Sequence, residues 1–211
     1  MQFADVYNQI VKYYPIGIDK FDPEYGQFDG FKLLSEMIEH KMAPGLYTDK
    51  WKPFVKSVKN TFPELIRTSS ETMLMDVCYS GQLVIKEEVT KSIHYKQTLV
   101  FHLSVIESFF TIYGRNDISV VYSDRNKENL IFDPVITVSP IGIYEKYYNY
   151  IRSSIHENYP ESSFIPYILL KQRIDGLSLD AHLKENQTGS VFQALFVGEN
   201  LTDYKTQGNE L

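Results

Sequence analysis

Cys78 and His102 are the two residues in this chain whose types best suit chemistry. A thiolate attacks an electrophilic carbon when a histidine takes its proton, and a carboxylate such as Asp76 can orient that histidine. No glycine-rich turn that could hold an oxyanion surrounds Cys78. The strand expected over 82–89 would also separate the two side chains. A free cysteine more often packs as a small hydrophobe. The thiol reading, a Cys-dependent hydrolase or transferase using Cys78 and His102, is therefore an alternative to the main one.

Other chemistries find weaker footholds. The histidines at 40, 94, 102, 156 and 182 never recur at the short spacing of a zinc motif. Glu36 and His40 share a helix face, which reads as a solvated pair. Asp19, Asp22 and Asp29 lack calcium-loop spacing. Ser139-Pro140-Ile141-Gly142 leads into an expected helix, but Pro140 removes one backbone donor and no phosphate-loop pattern accompanies it. It reads as a cap. Lys52, Lys56 and Lys59 form a basic stripe opposite an apolar helix face, the ordinary pattern of a solvated surface. No cofactor and no metal is expected.

These residues need elements to position them. Phe3, Val6, Ile10 and Tyr14 recur at helical spacing, as do Phe31, Leu34, Ile38 and Met42, and then Trp51, Phe54, Val55, Val58 and Phe62. Three helices are expected before residue 63. Near residue 72 the period falls to two. Strands are expected over 72–79, 82–89, 96–106, 108–113, 118–122 and 130–138, with turns at Ser80-Gly81 and Gly114-Arg115-Asn116-Asp117. A bulge or bend is expected at Glu107. A long helix follows from Ser139-Pro140 to Tyr159. After it come a strand over 164–170, a short helix near 178–184 and an apolar segment at 191–197. Grouped strands indicate an α+β fold with a mainly antiparallel meander of about six strands, packed on the N-terminal helices. One domain over 1–211 is expected, with 63–71 as the only sub-boundary.

Alternation divides the sheet into two faces. One carries Met73, Met75, Val77, Leu83, Ile85, Leu99, Phe101 and Leu103. The other carries Asp76, Cys78, Lys86, Glu88, His102 and Ser104. An antiparallel sheet can leave such a half-polar face in water, so Asp76, Lys86, Glu88, His102 and Ser104 are candidate partner-binding residues. Tyr147 and Tyr150 fall off the long helix's inward stripe and join them. They suit equally well a role packed against the C-terminal segment.

Composition narrows the function classes. The chain holds 21 basic and 27 acidic residues, a net charge of −6, which disfavours nucleic-acid binding. Residues 1–70 balance nine against nine, so 71–211 carry the whole excess. No apolar run is long enough to span a membrane, and the start lacks the pattern of a signal peptide. A single cysteine suggests a reducing, cytoplasmic setting. The main expectation is thus a non-catalytic cytoplasmic domain that binds another protein, for example an immunity- or antitoxin-type protein covering a basic surface. A small-molecule binder with an aromatic-lined cleft between helices and sheet is a further alternative.

Overall fold

The computed structural model describes residues 2–43, 45, 47–71, 77–122, 129–179, 188–196, 201 and 204–209. Among them lie three N-terminal helices, α1 (Phe3–Ile10), α2 (Asp29–Met42) and α3 (Lys52–Thr61). Pro53 sits in the first turn of α3, where a backbone N–H has no helical acceptor. A π-type turn over Tyr47–Trp51 leads into it and drives Trp51 into the core.

The sheet is built on three long strands, β2 (Cys78–Val89), β3 (Ile93–Ser104) and β4 (Phe109–Val120). A short strand β1 (Arg67–Glu71) pairs with β2 where a loop is expected from sequence. The far edge of β4 is shared by three short strands: β7 (Ser163–Phe164), β6 (Val135–Thr137) and β5 (Leu130–Ile131). Strand β8 (Lys205–Gln207) runs parallel to β6. The fold is therefore α+β, with a mixed, mostly antiparallel sheet of eight strands. The expected strand over 72–79 lies mostly outside the described residues, as does the expected helix near 178–184.

Both expected glycine turns lie inside strands instead. Gly81 is paired in mid-β2 with Phe101, and a Cβ there would sit 2.2 Å from the Phe101 ring. Gly114 is paired in mid-β4 with Leu99, and its Cβ would sit 2.7 Å from the Tyr144 ring. Each glycine leaves room for an aromatic ring to lie flat on the sheet, one of the standard uses of glycine in a strand. Phe101 is wedged against Trp51 and Phe54, at 5.7 and 5.8 Å between centroids, so it has little room to retreat. Gly81→Ala is accordingly expected to destabilise the fold by about 1–3 kcal/mol, as over-packing does. Urea unfolding checks this; an unchanged midpoint would mean that the Phe101 ring moves freely.

Helices cover both faces of the inner half of this sheet. On one face Trp51 stacks on Tyr79, and α4 (Glu145–Asn158) sends His156 onto Phe110. Helix α4 begins at Glu145, after a 3-10 turn over Gly142–Tyr144, so Ser139-Pro140 precedes the helix and does not cap it. On the other face lies α6 (Val191–Phe196), with five of its six side chains buried. Tyr14, just beyond α1, donates a hydrogen bond to the Ala194 carbonyl. The N-terminal helices are thus divided between the two faces. The short helix α5 (Tyr167–Leu170) replaces most of the expected strand over 164–170, because Pro166 starts a helical turn.

The outer half is different. Twelve strand residues extend about 40 Å, whereas the 14 residues of α4 reach only about 21 Å. Burial falls off accordingly, from the Cys78 end of β2 to the exposed Val89 and from Ser104 back to the exposed Ile93. The ends of β2, β3 and β4 stand clear of the helices.

Candidate functional site

Two places in this fold gather the candidate residues, one buried and one bare. At the buried one, Cys78 and His102 are neighbours after all, because β2 runs unbroken through Ser80-Gly81 and pairs directly with β3. The Cys78 Sγ lies 3.9 Å from His102 Nδ1. Ser80 Oγ lies closer to that nitrogen, at 2.8 Å, and Tyr113 Oη is 3.2 Å from Nε2. A neutral imidazole donates from one nitrogen and accepts at the other, so the two hydroxyls satisfy it completely.

This arrangement is sealed. Cys78 is 2% exposed and His102 is 8% exposed. Phe192 and Phe196 of α6 pack on the imidazole at 5.5 and 5.8 Å. The thiol donates to the Phe196 carbonyl at 2.7 Å. Burial alone holds the His102 pKa down at about 4, so the ring stays neutral at neutral pH. Burial disfavours a thiolate–imidazolium pair here, and α6 leaves no open approach. Iodoacetamide is therefore expected to label Cys78 roughly a hundredfold or more slowly in the native protein than after unfolding. Equal rates would restore the thiol reading.

Ser104 is buried beside this cluster and receives the Ile106 N–H at 3.3 Å. Asp76 lies outside the described residues. Tyr147 and Tyr150 both rest on Phe62, at 4.8 and 5.0 Å between centroids. Tyr147 is buried with its hydroxyl on Glu64, and Tyr150 is half-buried with its hydroxyl beside Thr61. Between α3 and the sheet, where a small-molecule cleft is the alternative, the rings of Trp51, Phe54, Tyr79 and Phe101 pack on one another. Among the described residues, no three His, Cys, Asp or Glu side chains gather as a metal site.

Lys86 and Glu88 belong to the other place. The register slips between Val84 and Lys86, so Val84 pairs with Thr98 but Lys86 pairs with Gln97. One extra residue reverses the side to which every later side chain points. Lys86 and Glu88 therefore share the face of Leu99 and Phe101, opposite to Cys78, His102 and Ser104. They pair with each other at 2.9 Å, and the Lys86 ammonium sits over the Tyr95 ring.

The surface they border is the bare end of the sheet. Moving outward along that face, the helix-covered part ends at a polar rung. Gln97 and Asn116 join at 2.9 Å, and Tyr144 donates to Asn116 Oδ1 at 3.0 Å. Beyond it lie two rows three strands wide. Tyr95 faces Ile118, whose carbonyl accepts the Phe132 N–H. Ile93 faces Val120, which faces Leu130. All six side chains are apolar or aromatic. Ile118, Ile93, Leu130 and Phe132 are 40%, 48%, 50% and 51% exposed. A contiguous apolar patch of this kind on a folded chain commonly marks an interaction site.

Comparison with known protein families, curated proteins and solved structures finds no match. What the structure itself shows is an α+β protein whose mostly antiparallel sheet is covered by helices at its inner half. Among the described residues, no helix is long and apolar enough to cross a membrane.

Proposed function

We propose that this chain is a non-catalytic cytoplasmic domain that binds another protein, and that the bare end of its sheet is the contact surface. The observation that supports this is the apolar patch where the helical layer stops, with Ile118, Phe132, Ile93 and Leu130 exposed and Tyr95 and Val120 half-buried between them. A protein surface of matching shape would remove it from water, the main source of affinity at such contacts.

Charge plays a lesser part at this surface. Lys86 and Glu88 pair with each other at its border. Selection of a basic partner, as in an immunity- or antitoxin-type protein, would draw on the acidic excess elsewhere in 71–211.

Affinity capture from native lysate tests the reading. The wild-type chain is expected to retain a stoichiometric protein partner at moderate salt. The double variant Ile118→Lys/Phe132→Glu is expected to lose it, whereas Lys56→Glu/Lys59→Glu on exposed α3 retains it. A partner held equally by all three chains, or none held by the wild type, would overturn the proposal.

A further inference from the structure

We draw no further inference here: the strongest candidate, the exposed apolar end of the sheet around Ile118 and Phe132, belongs to the surface already described, and nothing in the structure shows what covers it.

Discussion

Lowering the pH from 7 to 4 is expected to cost the fold about 3 kcal/mol through His102 alone. The folded pKa is about 4, depressed from the ordinary 6.5 by burial. Between those values the unfolded chain binds a proton that the folded chain refuses, so stability falls as pH falls through this window. Above about 6.5 the group has no effect, and below about 4 it adds nothing further. At roughly 1.4 kcal/mol per pKa unit, 2.5 units give the stated size. The described residues around the ring are Cys78, Ser80, Tyr113, Phe192 and Phe196. Urea titrations at several pH values measure the effect, with His102→Asn as reference, because carboxylates titrate in both proteins. The variant is expected to lack about one proton of linkage between pH 6.5 and 4. Parallel curves for the two proteins would show that the imidazole is solvated in the native state.

The second large effect is at Trp51. Its indole is fully buried, stacked on Tyr79 at 5.4 Å, with Phe54 at 5.3 Å and Phe101 at 5.7 Å. Trp51→Ala is expected to lose about 3–5 kcal/mol, the transfer term plus the cavity left among rings that cannot collapse. That is a large fraction of the stability of an ordinary domain. Phe21→Ala, at an exposed ring, is expected to stay within about 0.5 kcal/mol of wild type. If the two variants unfold at similar urea concentrations, the aromatic cluster does not hold α3 to the sheet.

The extent to which this structure is legible in the sequence differs between elements for physical reasons. The apolar faces of α1 and α3 are readable because both faces are core: Val6, Ile10, Phe54, Val55 and Val58 are all buried. The two-residue period after residue 72 likewise reports a sheet. Gly81 and Gly114 misled because glycine has two uses in strands. It can turn the chain, or it can admit a ring lying on the sheet, and the rings are supplied by Phe101 and Tyr144 from elsewhere in the chain. Strand β1 hides in the polar run Arg67–Glu71, which has no apolar alternation to show.

The candidate site was partly legible for the same kind of reason. Alternation alone assigned Lys86, Glu88, His102 and Ser104 to one face, and it holds only until the slip at Ile85. A bulge leaves no reliable mark on composition. Sequence also could not show that the largely apolar segment 191–196 covers His102, since no spacing links residues 90 apart. The signal for the bare patch was present, in Ile93, Ile118, Leu130 and Phe132. Ile118, Leu130 and Phe132 read as ordinary strand residues and Ile93 falls between two expected strands, because what makes them a surface is the length of α4 relative to the strands.

The central claim is that the exposed apolar end of the sheet is where this chain meets another protein. The most direct measurement is site-specific photocrosslinking in native lysate, with benzoylphenylalanine placed in turn at Ile118, Phe132 and the exposed Leu33 of α2. A discrete protein adduct from positions 118 and 132, and none from 33, is the predicted result. An adduct from Leu33 with none from the sheet end would contradict it.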